Sequence, residues 1–365
     1  MKLVAFSDLH LDTQFQWAPP AVARKRRQAL RDTLGRITQL AVEISADAVL
    51  CGGDLYEHDR FSPDTGAFLR STFAKLHPMP VFIAPGNHDW YGPASLYRNV
   101  DWSSNVHIYT EARLEPMNLT DGLTLWGAAH RAPANTGDFL RGFRVDAGGV
   151  HIALFHGSEA SFLSWQESGK LPHAPFDSVE IESAGLHHAF LGHYHRPRDE
   201  ARHTYPGNPE PLTFGEDGER GVVVAEVLAD GTVTRERRRV SQTDVHDKDV
   251  DITECDSMQD VRDRIADALV GLSGLARVTL SGELRPDVDL KVTDLNDVAP
   301  WTDATIVRVG VIRPGYDLDR VQSEQTVRGE FVREVMATEL PDEEKRRILA
   351  TGLRALDGRD DLEVF

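Results

Sequence analysis

The 365-residue chain has little cysteine, no long apolar run and no excess of basic residues. Its two cysteines, Cys51 and Cys255, lie far apart, which excludes a disulfide-held small protein and a thiolate metal site. No run approaches the roughly 18 apolar residues of a membrane span, and the first residues lack the apolar region of a signal peptide. We therefore expect a cytoplasmic protein that does not interact with a membrane.

The charge is acidic and unevenly distributed. The chain has 40 basic and 58 acidic side chains, a net charge of −18. Residues 1–243 carry 24 basic and 30 acidic side chains (net −6), whereas residues 244–365 carry 16 and 28 (net −12). This shift, next to the polar segment 241–251, predicts a domain boundary near 243/244. By bulk charge alone, the C-terminal third is a poor partner for a polyanion.

Short runs of Val, Ile, Leu and Phe recur through the first part of the chain, and each ends at a polar loop. Such runs predict strands that are buried on both faces. They cover residues 2–6, 48–51, 80–84, 123–127, 151–155, 188–191 and 221–227. Apolar residues at a 3.6-residue spacing predict a helix over about 20–45, so the early layout is βαβ and the fold class is α/β.

The segment after 243 has a different pattern. Strands are predicted at 249–253, 276–284 and 304–312, and a helix that begins at Asp256 or Ser257 runs to about Leu269. These elements indicate a small α+β unit. Two polar helices, at about 326–337 and 342–356, end the pattern.

Metal-ligating residue types directly follow five of the predicted strands. They are Asp8 and His10; Asp54; Asn87, His88 and Asp89; His156; and His193 and His195. Because the carboxyl ends of strands in an α/β sheet form one edge, we expect these loops to converge. Each short motif is weak by itself, but five in order after five strands are a strong signal.

The residue types suit a pair of divalent ions. Such a pair needs a bridging oxygen donor, with imidazoles and carboxylates around each ion. Asp54 is the natural bridge. Asp8 and His10 are spaced to reach one ion, His193 and His195 can serve two adjacent ions, and Asn87 adds an amide oxygen.

The ordered motifs D-x-H, G-D, G-N-H-D, H and G-H-x-H resemble those of the calcineurin-like metallophosphoesterases. A narrower resemblance, to SbcD-type DNA-repair nuclease subunits and their YhaO-like branch, rests on residues 81–89, 95–109, 173–176, 205–208 and 326–334. It extends over essentially the whole chain. The fold that it implies is a two-sheet α/β metallophosphoesterase sandwich flanked by helices, with a small α+β capping domain and C-terminal helices.

The resemblance also implies a domain plan and a ligand set. Residues 1–243 would form the nuclease domain, 244–318 the capping domain and 319–365 a helical partner-binding region. The implied roles are one ion on Asp8, His10, Asp54 and His195, a second on Asp54, Asn87, His156 and His193, and His88 as a catalytic non-ligand. The family favours Mn²⁺. Asp89 is a candidate catalytic partner that orients His88.

Several positions allow more than one interpretation. Many relatives have a histidine three residues after the bridging aspartate, but here Glu57 stands there and His58 follows, so whether His58 takes that role is open. Arg196 and Arg198, which follow the last motif, are candidate substrate contacts, and so is His58. The basic cluster at 24–27 could contact phosphates or be a solvated helix turn. Alternating arginines at 235–239 fit an exposed edge ladder.

The implied function is that of a metal-dependent DNA nuclease. It would act as an exonuclease, and whether it also acts as an endonuclease is open. It would act in DNA repair as a homodimer with an SbcC-like coiled-coil ATPase. Two alternatives stay open: a small-molecule phosphodiesterase or phosphatase with the same two-metal site, and a non-catalytic scaffold subunit for the ATPase.

Overall fold

The structure, a computed structural model, describes residues 1–162, 172–285, 288 and 290–358. Residues 286, 287 and 289 of the predicted capping domain and 359–365 of the predicted C-terminal region lie outside the described residues. The chain divides into two compact units, residues 1–244 and 245–365. This division falls one residue from the position of the charge shift.

Two six-stranded sheets form the N-terminal unit. The first contains β1 (Lys2–Phe6), β2 (Ala48–Cys51), β3 (Val81–Ile83), β4 (Val106–Ile108), β11 (Gly221–Val227) and β12 (Val233–Arg239), in the order β12-β11-β1-β2-β3-β4. β1 to β4 are parallel, and β11 is antiparallel to β1 and β12.

The second sheet is also mixed. It contains β5 (Glu115–Thr120), β6 (Leu123–Gly127), β7 (Val150–His156), β8 (His188–Gly192), β9 (Arg198–Asp199) and β10 (His203–Tyr205), in the order β5-β6-β7-β8-β10-β9. β6, β7, β8 and β10 run parallel. The predicted two-sheet α/β sandwich is confirmed.

Alternation along β1 places one core on each face of the first sheet. Leu3 and Ala5 belong to the cluster between the two sheets, which also contains Leu125 and Ile152 of the second sheet. Val4 points to the opposite cluster. There α1 (Pro20–Glu43) contributes residues at helical spacing: Leu30, Leu34, Ile37 and Ala41.

Among the described residues of this unit, three shorter α-helices accompany α1. They are α2 (Thr65–Ala74), α3 (Leu96–Asn99) and α4 (Ser178–Ser183). α4 begins with a capping box, in which the Asp177 side chain accepts from the first turn and Glu180 reaches back to the Asp177 N–H.

Arginines hold the unit together in places where the sequence suggested surface roles. Arg26, in the basic cluster of α1, is fully buried and pairs with the equally buried Glu210 at 3.0 Å. It therefore does not contact phosphates. Arg235 donates to the Glu200 carbonyl at 2.6 Å, and Arg237 donates to Asp199 at 3.0 Å. The expectation of an exposed edge ladder is wrong for these two, because they join β12 to β9 and its loop in the other sheet.

The C-terminal unit has a three-stranded parallel sheet, β13 (Val245–Asp251), β14 (Leu275–Leu284) and β15 (Ala304–Pro314). Against it packs α5 (Met258–Leu269), which is N-capped by Ser257 and buries Val261 and Ile265. In the part of the chain that the structure describes, three further helices follow: α6 (Leu318–Ser323), α7 (Val327–Met336) and α8 (Asp342–Leu356). Their apolar residues form a cluster of their own, with Val332 and Leu353 fully buried.

Across the described part of the chain, no helix combines the length and the apolar character that crossing a membrane requires.

Burial of a neutral histidine makes the N-terminal unit sensitive to acid. His188 of β8 is 1 % exposed, and its Nε2 lies 3.0 Å from Thr204 Oγ1. Burial, with the nearby charge of Arg235, lowers the pKa of His188 to about 3. In an unfolded chain the pKa of histidine is about 6.5. Below that pH, His188 binds a proton in the unfolded chain but stays neutral in the folded chain. Stability is therefore lost as the pH falls from 6.5 towards 3.

We expect this single residue to lower the free energy of unfolding by about 2 kcal/mol between pH 7.5 and pH 5. Urea unfolding followed by tryptophan fluorescence measures it, because five of the six tryptophans lie in residues 1–244. EDTA in all samples removes any contribution from ion release. The free energy of unfolding of His188→Gln should fall by about 2 kcal/mol less over the same pH range. Equal pH sensitivity of the two proteins would contradict the assignment.

Candidate metal centre

The candidate site lies at the carboxyl ends of β1, β2, β3, β7 and β8. Four of its side chains stand on backbone of positive φ: Asp8 (φ 55°), His10 (φ 49°), Asp54 (φ 50°) and His193 (φ 115°). The Asp8 N–H donates to the Gly53 carbonyl and the His10 N–H to the Asp54 carbonyl, both at 2.9 Å. Such conformations cost about 1–3 kcal/mol per non-glycine residue and persist only where the surroundings impose them. The first two loops therefore hold each other in a strained, fixed geometry.

Glycines allow the other loops to approach just as closely. A Cβ on Gly192 would lie 2.1 Å from the Gly52 carbonyl oxygen, and one on Gly86 would lie 2.3 Å from Asp54 Oδ1. Any side chain at either position would push the ligand-bearing loops apart.

The first group of donor atoms comprises Asp8, His10 and His195, whose potential ligand atoms lie within 4.8 Å of one another. The Nε2 atoms of His10 and His195 are 3.2 Å apart. On the far side of each ring, Nδ1 faces a carboxylate: Glu57 Oε1 at 2.8 Å from His10 and Glu216 Oε1 at 2.9 Å from His195.

With both rings neutral, this arrangement favours a cation or a shared proton. A carboxylate only accepts hydrogen bonds, so Nδ1 of both rings carries the hydrogen, and Nε2 of each neutral ring is a bare lone pair. Two lone pairs facing each other at 3.2 Å repel unless a positive charge lies between them. The residues at this position therefore fit a metal ion, with the carboxylate–histidine pairing typical of metal sites.

A second group is built around Asp54 and His156. His156 Nδ1 donates to the Gly52 carbonyl at 2.9 Å, which leaves its Nε2 toward Asn87 Oδ1 (3.1 Å) and Asp54 Oδ2 (3.3 Å). While the His156 ring is neutral, these three atoms are acceptors facing acceptors, and a metal ion or a proton on Nε2 relieves that arrangement. The His193 ring borders the group, with its centroid 5.2 Å from that of His156.

Asp54 lies between the two groups. Its Oδ2 is 3.3 Å from His156 Nε2 and 3.7 Å from His10 Nε2. Burial disfavours a charge on His156, but the negative charge of Asp54 outweighs it and raises the pKa of His156 to about 9. The shift in pKa shows how strongly this point favours positive charge.

His88 stands beside the first group, with its side chain 46 % exposed. Its Nδ1 lies 3.1 Å from Glu57 Oε2, so one carboxylate contacts both His10 and His88. Burial opposes the charged form of His88, but Asp54 and the bond to Glu57 raise its pKa to about 9. Burial would raise the pKa of Glu57, but its hydrogen bonds to the two histidines lower it to about 2.

The comparison with known families agrees with this geometry. The sequence profile described as calcineurin-like phosphoesterase matches residues 1–197, more than half of the chain. The chain belongs to the calcineurin-like phosphoesterase family. The resemblance stated from the motifs is confirmed.

Three relatives of this phosphoesterase have informative names. An uncharacterized metallophosphoesterase, YhaO of Bacillus subtilis, is 27 % identical over 267 residues, covering 69 % of this chain and 63 % of the relative. The DNA double-strand break repair protein Mre11 of Methanopyrus kandleri is 28 % identical over 252 residues, covering 60 % and 51 %. Mre11 of Halobacterium salinarum is 24 % identical over 380 residues, covering 91 % and 92 %. The chain thus spans between half and two thirds of the length of the first two relatives.

A cleft of about 890 Å³ opens beside the metal centre of the phosphoesterase. Arg196 lines it, as sequence position predicts, together with His88 and His173. Arg198 is not among the residues that line this cleft. Its side chain pairs with Glu200 at 2.6 Å and stacks over the Phe162 ring.

Two further sequence questions are answered by contacts. His58 does not take the place of a histidine three residues after Asp54: its ring stacks on Trp90, with centroids 4.0 Å apart, while Glu57 reaches His10 and His88. Glu216 was missed by sequence reasoning. Its Oε2 accepts from Asn208 and from the Leu212 N–H, both at 2.7 Å, and this holds Oε1 against His195. No local sequence signal marks that contact.

Asp89 holds the loops rather than orienting His88. Its fully buried carboxylate accepts from the backbone N–H groups of Asp54 (3.1 Å), Leu55 (2.6 Å) and Gly86 (2.6 Å), and from the Tyr97 hydroxyl. Glu57, and not Asp89, occupies the orienting position on His88. These contacts give Asp89 a structural role, and its predicted catalytic role stays a prediction.

We expect Asp89→Asn to lower the free energy of unfolding by at least about 2 kcal/mol, because an amide N–H₂ would face donors in a buried site. Ion affinity should fall with it as the Asp54 loop moves. Urea unfolding and calorimetric Mn²⁺ titration measure the two effects. Tyr97→Phe, which removes one of the four donors, is the matched control and should cost less. If Asp89→Asn leaves stability and ion binding unchanged but slows phosphodiester hydrolysis, Asp89 has a catalytic role instead.

Proposed function

We propose that this phosphoesterase uses two divalent ions to hydrolyse phosphodiester bonds of DNA. The observation that carries the proposal is the position of Asp54 Oδ2, 3.3 Å from one bare imidazole nitrogen and 3.7 Å from another in a separate donor group. A shared carboxylate between two groups of nitrogen and oxygen donors is the arrangement that a two-ion site needs.

In this proposal each ion has four protein ligands. One would be held by Asp8, His10, Asp54 and His195, and the other by Asp54, Asn87, His156 and His193. Nitrogen and oxygen donors of this kind suit Mn²⁺, which we propose as the working ion. When bound, such a pair supplies a water of lowered pKa and neutralises charge on the phosphate.

The chain's own residues have three tasks. Arg196, in the cleft, would contact the substrate phosphate, and the rigid loops would hold the scissile group in line. His88 lines the cleft, and because its Nδ1 is bound to Glu57, its Nε2 would be the atom that meets the substrate. Its proton passes to the leaving oxygen as the P–O bond breaks and the oxygen of water joins phosphorus. The products are a phosphomonoester and a hydroxyl end.

DNA is the proposed substrate because two of the relatives are named as DNA double-strand break repair proteins. On the same basis we propose a repair role in the cytoplasm, as a homodimer with an SbcC-like coiled-coil ATPase. The acidity of the chain favours a rival substrate, a small phosphodiester. Asp217 and Glu219 line the cleft, and the net charge of −18 repels a polyanion unless a partner supplies positive surface.

The first test replaces the proposed bridge. Asp54→Ala removes a ligand from both ions, so the purified protein should lose both by elemental analysis and lose Mn²⁺-dependent cleavage of linear DNA. Asp101→Ala is the control, since Asp101 pairs with Arg70 at the surface. Full ion content and activity in Asp54→Ala would contradict the two-ion site. Hydrolysis of bis(p-nitrophenyl) phosphate without any cleavage of DNA, by the wild type, would favour the small-molecule rival.

The C-terminal helices are the proposed attachment site for the ATPase. α7 and α8 bury one side of each helix in their own cluster, which leaves Met336 (43 % exposed) and Ile348 (40 % exposed) on the surface. Exposed apolar residues beside a packed helical cluster suit the base of a coiled coil.

The second test places a charge at that surface in the full chain. Ile348→Glu should weaken co-purification with the ATPase at least about tenfold, because a charge would have to be desolvated in the interface. Val179→Glu is the control, as Val179 is 68 % exposed on α4 of the other unit. Undiminished binding by Ile348→Glu would place the attachment site elsewhere.

A further inference from the structure

We propose that Glu216, held in place by Asn208, is a positioning residue that fixes the ring orientation and the tautomer of His195. This inference rests on the proposed function of the site. It assigns control of ion affinity at the first donor group to residues 206–220, a segment that contains none of the proposed ligands. We call residues 206–220 the support segment.

The support segment contacts His195 at both the ring and the main chain. Glu216 Oε1 lies 2.9 Å from Nδ1 of the ring. The Asn208 N–H donates to the His195 carbonyl at 3.2 Å, and the Arg220 guanidinium donates to the same carbonyl. One segment therefore restricts both the rotation of the ring and the movement of the backbone that carries it.

Asn208 connects these contacts. It is fully buried, and its side-chain Nδ2 donates to Glu216 Oε2 at 2.7 Å and to the Glu210 carbonyl at 3.0 Å. Its Oδ1 accepts from Arg220. A buried amide with all its polar atoms paired favours a single arrangement of its partners. Asn208 thus fixes Oε2 of the Glu216 carboxylate, and because that group is planar, it also fixes Oε1.

The support segment is itself anchored to α1 and to the residue stretch before it. The buried Glu210 pairs with Arg26 of α1 at 3.0 Å. Trp17 Nε1 donates to the Leu212 carbonyl at 3.2 Å, and the Trp17 ring packs edge-on against Phe214, with centroids 4.8 Å apart. These contacts lie between the two residues of the proposal in sequence. They supply the preorganisation that a positioning residue needs.

The hydrogen-bond pattern also determines the tautomer of His195. Oε2 of Glu216 accepts from Asn208 and from the Leu212 N–H, both at 2.7 Å, while Oε1 faces the ring. Because a carboxylate only accepts, Nδ1 of the ring carries the hydrogen and Nε2 keeps the lone pair that an ion needs. Only a group that accepts at both ends satisfies all three donors. A carboxylate does so, and a carboxamide does not.

Two substitutions of Glu216 should therefore lower ion affinity in a characteristic order. In Glu216→Gln the amide presents N–H₂ either to the ring, which moves the ring hydrogen to Nε2, or to the Asn208 and Leu212 donors. Glu216→Ala leaves space for water, which reaches Nδ1 because the His195 side chain is 34 % exposed, and water can accept from it. One of the two Mn²⁺ binding constants should fall about 100-fold in Glu216→Gln and about 10-fold in Glu216→Ala.

Stability should follow the opposite order. Glu216→Ala removes the acceptor of the Asn208 and Leu212 N–H groups, whereas the amide oxygen of Glu216→Gln can still serve them. The urea midpoint in EDTA should therefore be lower for Glu216→Ala than for Glu216→Gln. A residue that only holds the support segment together would give the same order in both measurements.

Calorimetric Mn²⁺ titration of the full-length protein measures the two binding constants. Glu219→Gln is the matched control, because it removes the same charge from the same segment at an exposed position. Its binding constants should stay within about twofold of the wild type, since an exposed charge is screened. An ion affinity of Glu216→Gln equal to or higher than that of Glu216→Ala would overturn the positioning role.

A spectroscopic readout keeps the test independent of activity. In ¹⁵N-histidine-labelled, Zn²⁺-loaded full-length protein, one Nδ1–H signal should be lost or shifted in both Glu216 variants and unchanged in Glu219→Gln. If the wild type binds ions and shows this signal but hydrolyses no phosphodiester, the proposed function fails and the positioning role stands. If no Nδ1–H signal responds to the Glu216 substitutions, the positioning role fails whatever the activity.

Discussion

Hydrogen-bond acceptors that face one another are the constraint on which this site depends. His10, His195 and His156 each bind a carboxylate or a carbonyl through Nδ1, so each neutral ring presents the lone pair of Nε2 to one of the two adjoining donor groups. Asp54 and Asn87 add oxygen lone pairs there. Such a cluster is unfavourable unless positive charge occupies it, and the raised pKa of His156 reflects that demand. The histidine partners therefore decide what the site can bind.

The fold maintains this unfavourable arrangement by making it hard to relax. Left-handed backbone at Asp8, His10 and Asp54 is held by bonds between the first two loops, and the buried carboxylate of Asp89 ties the third loop to the second. The two sheets meet in an apolar layer, so the strand ends cannot separate without exposing core residues. Strain at the site is thus offset by packing beneath it.

Much of this could be predicted from the sequence, because buried strands and the residues that follow them are local patterns. The strand ends at Asp8, Asp54 and His156 identified the converging edge and the family. Contacts between distant side chains left no such pattern: Glu216 reaches back to His195, and Arg26 is buried against Glu210. The role of Glu57 was visible only as a departure from a motif, since its two histidine partners lie on different loops. Adjacency in sequence linked Asp89 to His88, while its bonds run to the backbone of Leu55 in the second loop and of Gly86 in its own loop.

The most direct measurement is anomalous diffraction at the manganese edge from crystals soaked in Mn²⁺. The account predicts two peaks per chain about 3.5–4 Å apart on either side of Asp54, one against His10 and His195 and the other against Asn87 and His156. Glu57 should stay bonded to His88 and touch neither peak. A single peak, or a peak between Glu57 and His88, would contradict it.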